Sequence, residues 1–245
     1  MVKLRGIVLH SIKYGETSVI AYIYTDLQGR QTYIINGVRG ATQRRKSSLI
    51  QPLFLLDIEA YPERRRGAMC RMKEFCANVP LQSLPFDVHK SVIALFIGEV
   101  LYKLIREEEQ NEALFDFLHR HILLLDEIQH GVSGFHLYFL AQLAQHLGFF
   151  PGNAHSSEYP YFDMKNGVFV PFAPPHGAFM DKPTSALLGT LIGAKLNEKL
   201  DDLQYIRASR EQRNLLMRKL LDYYCTHLGM ANPIRSLTVL EEVFA

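Results

Sequence analysis

The sequence has few cysteines and no long apolar segment of the kind found in membrane proteins. Its three cysteines (Cys70, Cys76 and Cys225) are an odd number without disulfide-framework spacing, which predicts a reducing, cytoplasmic location. The first apolar run, Ile7–Leu9, is too short for a signal peptide. Residues 128–157 lack Lys, Arg, Asp and Glu, but glutamines and histidines interrupt this span, so we expect a buried helix and not a membrane span.

Sequence motifs of catalysis and cofactor binding are also missing. Neither G-x-x-x-x-G-K-[ST] nor G-x-G-x-x-G occurs, so no phosphate-binding loop is predicted. The segment 131–134 is a near match to a nucleophile elbow, but its second glycine comes one position early. We interpret Ser133 as a helix N-cap. We therefore expect a protein that is not an enzyme and has no cofactor.

The spacing of potential metal ligands argues against a metal site. His119 and His121 are two residues apart, and such residues point to different faces of a helix. Cys70 and Cys76 have five residues between them, unlike the close pairs of structural zinc sites. Because Glu107–Glu109 form a solvated acidic run, they do not suggest a two-metal nuclease. We predict that the protein purifies without bound zinc.

Charge is unevenly distributed along the chain. Residues 1–80 contain 13 Lys and Arg against 6 Asp and Glu, a net charge of +7. Residues 81–180 contain 5 against 11, a net charge of −6, and residues 181–245 contain 9 against 8. Because a merely soluble surface mixes the two signs, this asymmetry predicts that the N-terminal segment binds a polyanion.

The N-terminal third has the pattern of a small β-barrel. Turn signals separate five runs of β-branched and aromatic residues: 7–9, 19–25, 31–35, 54–60 and 68–75. This spacing favours an OB-type barrel, with an SH3-like barrel as the structural alternative. The predicted fold class is α+β, with an OB-type β-barrel domain over residues 1–80 and an α-helical domain over residues 81–245.

The cations of this barrel are concentrated in the connections between strands. Guanidinium and ammonium groups there match phosphate oxygens and release counterions whatever the base sequence, although solvated turns are the alternative interpretation. Tyr22, Tyr24, Tyr33 and Phe54 are candidate base-stacking platforms, but strand alternation makes a core position the more frequent outcome. The candidate DNA-binding residues are Lys13, Arg30, Arg39, Arg44, Arg45, Lys46, Arg64, Arg65 and Arg66.

The rest of the chain has helical periodicity. A helix capped by Asp87 has two adjacent apolar rows that begin at Val88 and Ile93, and a second helix begins at Asn111. A third helix, capped by Ser133, ends at Gly148.

Residues 149–183 lose this periodicity and are predicted to form an irregular insertion, with a hairpin at Asn166-Gly167. Helices resume at Thr184. Ser209 and Gln212 predict a capping box for a helix that ends at Gly229.

Several motifs resemble those of the RecO family. The resemblance covers nearly the whole chain and is densest in residues 6–60. Its N-terminal motifs are Gly6-Ile7-Val8-Leu9, Tyr14-Gly15-Glu16-Thr17, Tyr24 to Arg30, Asn36-Gly37-Val38-Arg39 and Gln51-Pro52-Leu53. Its later motifs are Leu147-Gly148-Phe149-x-Pro151 and Arg235-Ser236-Leu237-x-Val239-Leu240.

The resemblance implies an OB-fold followed by a helical domain, in a non-enzymatic mediator of DNA repair and homologous recombination. It implies binding of single- and double-stranded DNA, annealing of complementary strands, and a cytoplasmic, nucleoid-associated location without membrane contact. It further implies that the protein works with RecR to load RecA onto strands coated with single-stranded-DNA-binding protein. The alternatives from other classes are an OB-fold adaptor for RNA or protein and a metal-dependent nuclease.

Two further expectations come from the resemblance. The acidic tail of the single-stranded-DNA-binding protein should dock on the helical domain, where the candidate residues are Phe117, Arg120 and His121. Many relatives carry a Cys-x-x-Cys zinc module in the insertion, whereas residues 152–177 here contain no cysteine. We therefore expect packing to hold the insertion together, by the side chains of Phe149, Tyr161, Phe162, Phe169 and Phe172.

Overall fold

The computed structural model describes residues 1–37, 44–61, 69–106, 108–194, 208–229 and 233–244. The chain forms two compact units, Met1–Asp126 and Glu127–Ala245. The sequence-based boundary after residue 80 marks the change from strands to helices, and it stays a prediction. Within the described ranges, no helix has both the length and the apolar character needed to cross a membrane.

The first unit begins with a closed five-stranded barrel. Its strands follow one another around the barrel in the order β1-β2-β3-β5-β4, with β3 and β5 parallel and the other pairs antiparallel. This Greek-key order confirms the predicted OB-type barrel. The elements are β1 (Val2–Tyr14), β2 (Ser18–Thr25), β3 (Gly29–Ile35), α1 (Arg44–Ser47), β4 (Leu55–Ala60) and β5 (Cys70–Ala77).

The barrel interior is filled by alternate residues of its strands. Val8, Ile23 and Tyr33 are among the fully buried side chains of this core. Gly6 of β1 leaves room for core side chains, because a Cβ atom there would lie 2.6 Å from side-chain atoms of both Ile23 and Ile58. A closed barrel leaves no exposed sheet edge, so ligands have the connections and the outer strand faces available to them.

Two helices complete the first unit, α2 (Val88–Leu104) and α3 (Glu112–Glu127). As predicted, Asp87 caps α2, and its carboxylate accepts hydrogen bonds from the backbone N–H groups of His89 and Lys90. The helix lies close to the barrel at Gly98, where a Cβ atom would lie 2.9 Å from the Leu9 carbonyl oxygen. The prediction that Val88 is part of the buried face is wrong, since this side chain is 63% exposed.

A buried polar cluster fixes the segment between the barrel and α2. The carboxylate of Asp126 accepts hydrogen bonds from the backbone N–H groups of Gln82, Ser83 and Leu84, at 2.6–2.8 Å. Lys90 Nζ donates to Ser83 Oγ and to the Asp126 carbonyl oxygen. Burial by itself raises the pKa of a carboxyl group, but these backbone bonds and Lys90 outweigh it and lower the pKa of Asp126.

The second unit combines helices with a small sheet. The capping box of Ser209 and Gln212 and the left-handed C-cap at Gly229 are both confirmed. The elements are α4 (Val132–His146), β6 (Tyr161–Asp163), β7 (Val168–Val170), β8 (Phe179–Met180), α5 (Lys182–Gly193), α6 (Arg210–Leu228) and α7 (Ser236–Val243).

The predicted cap of α4 at Ser133 is wrong. The N-cap is Gly131, whose φ of 72° is in the left-handed region, and no side chain caps the helix there. Because glycine adopts this conformation at little cost, the helix begins at Val132 and Ser133 lies inside its first turn.

The insertion is more regular than the sequence suggested. It contains a three-stranded antiparallel sheet in the order β7-β6-β8, with the predicted hairpin between β6 and β7. Phe162 and Phe169 are buried and their ring centroids are 4.9 Å apart, whereas Tyr161 is only half-buried. Phe172 was expected to pack in this core, but it is 80% exposed.

Candidate nucleic-acid interface

The connections between barrel strands contain most of the predicted DNA-binding cations. Arg39 and the run Arg64–Arg66 lie outside the described residues. Arg44 and Arg45 form the start of α1, of which the backbone is described. These positions belong to the β3–β4 and β4–β5 connections, and β4–β5 connections of OB barrels are common sites of oligonucleotide binding.

Two predicted cations have exposed side chains. Lys46, in α1, holds its ammonium group 6.0 Å from the centroid of the Phe75 ring. Lys13 lies near the end of β1, opposite Val19 and before the turn to β2. Both groups are accessible to a phosphate, and they flank different connections of the same barrel.

Arg30 differs from the other predicted cations because its guanidinium is directed toward α2. Nη1 donates hydrogen bonds to the carbonyl oxygens of Tyr102 and Ile105, at 2.9 and 2.7 Å. The guanidinium also lies over the rings of Tyr22 and Tyr102, 5.1 and 4.6 Å from their centroids. These contacts favour a structural role for Arg30 in holding α2 on the barrel.

The proposed base-stacking aromatics are largely occupied by internal contacts. Tyr24 and Tyr33 are 1% and 0% exposed, so the structure excludes them as platforms. Tyr22 is half-buried and its ring lies 4.8 Å from that of Tyr102, and Phe54 is also half-buried. Tyr33 belongs to the barrel core and Phe54 packs against it, as strand alternation predicted. Tyr22 and Tyr24 instead alternate with the core residues of β2 and lie on its outer face.

Helices α2 and α3 account for this burial on the outer face of β2. The Tyr24 ring stacks on Phe115 of α3 at 6.3 Å, and its hydroxyl donates to the Asn111 carbonyl oxygen. A second aromatic contact lies near Tyr22. It joins the ring of His10 to that of Tyr102 in α2, with centroids 4.7 Å apart. The sequence did not indicate that helices cover these strands, because the contacts join residues far apart in the chain.

The three residues predicted to bind an acidic tail lie on α3. Arg120 is exposed, whereas Phe117 and His121 are each 8% exposed and pack against each other with centroids 4.0 Å apart. His121 Nδ1 is 2.7 Å from the Phe117 carbonyl oxygen, so the imidazole is engaged within its own helix. Of the three, Arg120 is the side chain accessible to a partner.

The potential metal ligands do not converge in the part of the chain that the structure describes. No group of three or more His, Cys, Asp or Glu side chains is placed to hold a metal ion there. The two histidines have different neighbours. His119 Nε2 lies 3.3 Å from Asn78 Oδ1, whereas His121 Nδ1 lies beside the Phe117 carbonyl oxygen. The cysteines Cys70, Cys76 and Cys225 form no disulfide.

Comparison with known proteins identifies the family. Residues 1–75 match the family model described as recombination protein O N terminal, and residues 85–238 match the one described as recombination protein O C terminal. A DNA repair protein RecO from Phocaeicola vulgatus is 37% identical over 243 residues, which cover 99% of both chains. Proteins of the same name from Bacteroides fragilis and Flavobacterium johnsoniae are 36% and 34% identical, over at least 98% of each chain.

Proposed function

Because the chain belongs to the recombination protein O (RecO) family, we propose that it is a DNA repair and recombination mediator that binds DNA through its barrel. The observation that carries this proposal is the combination of an OB-type strand order with a cation-rich β3–β4 connection. The net charge of +7 over residues 1–80 supports a polyanionic ligand. The names of the relatives, DNA repair proteins, support the process.

The proposed mode of binding is to the phosphate backbone of single- and double-stranded DNA. Lys13, Lys46 and the arginines of the two connections would each replace condensed counterions, independent of base sequence. Since Tyr24 and Tyr33 are buried, base stacking by these two rings has no part in it. Binding should therefore weaken steeply as salt concentration rises and should discriminate little between base sequences.

Strand annealing follows from this mode of binding. Two complementary strands repel each other through their phosphates, and a protein that neutralises both raises their local concentration while the bases stay accessible. The protein acts here without a chemical step, and since the sequence has no nucleotide-binding motif, the annealing needs no ATP.

The proposal extends to partners. The chain is proposed to act with RecR in loading RecA onto strands coated with single-stranded-DNA-binding protein, in the cytoplasm at the nucleoid. The acidic tail of the latter protein would dock on α3 at Arg120, which is exposed beside the packed pair Phe117 and His121. Fluorescence anisotropy of a labelled tail peptide should show weaker binding to Arg120→Ala, and unchanged affinity removes Arg120 from the site.

Stopped-flow annealing of labelled complementary oligonucleotides tests the proposed activity. We expect faster annealing with the protein than without it, on bare strands and on strands coated with the cognate single-stranded-DNA-binding protein, and equally with and without ATP. No acceleration at saturating protein and low salt contradicts the mediator function.

Two added samples test the alternatives. Competition by single-stranded RNA of equal length should not exceed that by DNA, since a strong RNA preference indicates an RNA-binding adaptor. Strands incubated with protein and Mg²⁺ or Mn²⁺ should stay intact, since divalent-dependent cleavage indicates a nuclease.

A further inference from the structure

The outer surface of the barrel extends beyond the part that contacts α2 and α3. Tyr22 and Tyr24 of β2 lie against rings of these two helices. Farther along β1, toward its turn with β2, Ile12 is 42% exposed and Tyr14 is 49% exposed. Tyr14 is therefore an accessible aromatic ring of the barrel, and it was not among the stacking candidates that the sequence suggested.

Strand pairing places Tyr14 on a continuous outer surface of four neighbouring strands, which we call the Tyr14 face. Residues that alternate with the core residues of a strand point outward, and directly paired residues share a face. The face consists of Ile12 and Tyr14 of β1, Ser18 and Ile20 of β2, Ile34 of β3 and Arg71 of β5. Because neighbouring strands lie about 4.8 Å apart, it is about 14 Å wide from β1 to β5.

The edges of the Tyr14 face are cationic, whereas its centre is apolar. Lys13 is exposed beside Tyr14 at one edge, and Arg71 is exposed at the other. None of the six residues of the face is acidic. Glu16 in the β1–β2 turn is an exposed carboxylate close to this edge in sequence, but residues 1–80 as a whole have a net charge of +7. The surroundings therefore attract a polyanion.

An accessible ring on an apolar surface between cations is the composition of a platform for single-stranded nucleic acid. We propose that Tyr14 stacks on a base of single-stranded DNA while Lys13 and Arg71 contact phosphates on either side. Ile12 and Ile34 provide apolar contact for the same stretch of the strand. This site rests on the proposed DNA binding, to which it adds a means of distinguishing single from double strands.

The selectivity for single strands has a simple physical cause. Bases in a duplex stack on each other, so they present no free face to a protein ring. Bases of a single strand can leave their neighbours and stack on an aromatic side chain, whatever their identity. Phosphate contacts, in contrast, are available on both kinds of DNA. The ring of Tyr14 should therefore contribute to single-strand affinity alone.

Fluorescence anisotropy with labelled oligonucleotides tests this contribution. Tyr14→Ala should weaken binding of a single strand at least about fivefold, the lower end for stacking on one base, and should leave duplex affinity unchanged. The salt dependence should stay that of the wild-type chain, because no charge is removed. Tyr14→Phe should restore single-strand affinity. Tyr159→Ala is the matched control, since Tyr159 is 41% exposed on the other unit, and it should change nothing.

A strand with abasic positions separates stacking from every other role of the ring. Such a strand keeps its phosphates but lacks the bases that Tyr14 would contact. Tyr14→Ala and the wild-type chain should therefore bind it equally. Far-UV circular dichroism and urea midpoints establish that each variant is folded.

A fluorescent reporter tests where the bases lie. The sequence contains no tryptophan, so Tyr14→Trp introduces a single indole that can itself stack on a base. Its emission should be quenched by a saturating single strand and much less by an abasic strand of equal length. Tyr159→Trp should show no such difference.

The results that overturn this site differ from those that overturn DNA binding. A wild-type chain that binds no DNA contradicts the proposed function and this site with it. If the wild-type chain binds single strands and Tyr14→Ala binds them equally well, only the stacking site is wrong, and the Tyr14 face then serves another partner. Equal losses of affinity for single strands, duplex and abasic strands also overturn it, since Tyr14 then supports the fold and contacts no base.

Discussion

Arg30 donates a hydrogen bond to the carbonyl oxygen of Ile105, at 2.7 Å, from a position 75 residues earlier in the chain. Ile105 is the C-cap of α2, where unpaired carbonyl groups carry the negative end of the helix dipole. The same Nη1 atom reaches Tyr102 in the last turn. Strand β3 of the barrel and helix α2 are thus held together by a cation that the sequence alone predicts to bind DNA.

Replacement of Arg30 should therefore affect stability more than DNA binding. We expect Arg30→Gln to lower the free energy of unfolding by about 1.5–3 kcal/mol, since hydrogen bonds from a charged donor are lost. Arg30→Lys keeps the charge but cannot reproduce the planar guanidinium, so it should recover only part of the free energy of unfolding that Arg30→Gln loses. Urea midpoints measure the effect. An unchanged midpoint combined with a large loss of DNA affinity would return Arg30 to the interface.

Close approach at Gly98 gives a second stability prediction. In Gly98→Ala the new methyl group would lie 2.9 Å from both the Leu9 carbonyl oxygen and Pro52 Cβ, so α2 must shift from the barrel. We expect a loss of about 1–3 kcal/mol, as for other overpacked sites.

Gly134→Ala in α4 is the control for that variant. Its added methyl group meets no atom within 4 Å, so it should be neutral or stabilise by up to about 1 kcal/mol. Equal decreases in the thermal midpoints of the two variants would show that the close approach at Gly98 does not cause the loss of stability.

The sequence predicted those features that depend on local chemistry. Asp87 and the pair Ser209 and Gln212 were recognised as caps because a cap is decided by residues within one turn of the helix. The five strands and the OB-type barrel followed in the same way from short runs and turn residues. The predicted cap at Ser133 was the exception, because the helix is capped by Gly131, which adopts the left-handed conformation.

Features that depend on distant residues could not be predicted. Nothing near Arg30 in the sequence reveals the carbonyl groups of α2, and nothing near Asp126 reveals the backbone of residues 82–84. Tyr24 was a candidate platform because a strand residue alone does not show that α3 will cover it. That the interface lies on this barrel stays a prediction, and burial excludes two of its four candidate rings, Tyr24 and Tyr33.

A buried histidine in the second unit predicts a dependence of stability on pH. His136 is 5% exposed, and burial, with a smaller effect of Arg213, lowers the pKa of His136 to about 3. Below pH 6.5 the His136 imidazole of the unfolded chain binds a proton, whereas that of the folded chain stays neutral until about pH 3. The contribution of His136 to the free energy of unfolding is therefore complete above pH 6.5 and is lost as the pH falls toward 3. At pH 5 the loss should be about 2 kcal/mol.

His136→Gln tests this dependence because glutamine stays neutral. Urea unfolding at pH 7 and at pH 5 should show a smaller difference in stability for the variant than for the wild-type chain. An equal difference in the two proteins would mean that another group is responsible.

The cysteine-free insertion should depend on aromatic packing. We expect Phe162→Ala to cost about 3–5 kcal/mol, because its ring is fully buried against Phe169 and Tyr223. Phe172→Ala, at the exposed position, should cost little.

A chelator should leave the thermal midpoint of the wild-type chain unchanged, and elemental analysis that finds about one zinc per chain would contradict this.

The salt dependence of single-stranded DNA binding tests the proposed interface, when the wild-type chain is compared with a variant in which Arg44, Arg45 and Lys46 are changed to alanine. The slope of log affinity against log salt should become shallower by roughly two, since each phosphate contact on a single strand contributes about 0.7. A variant with Arg120, Lys165 and Lys182 changed to alanine removes the same charge from exposed positions outside the barrel, and it should keep the wild-type slope. Equal slopes for all three proteins would contradict DNA binding by this connection of the barrel.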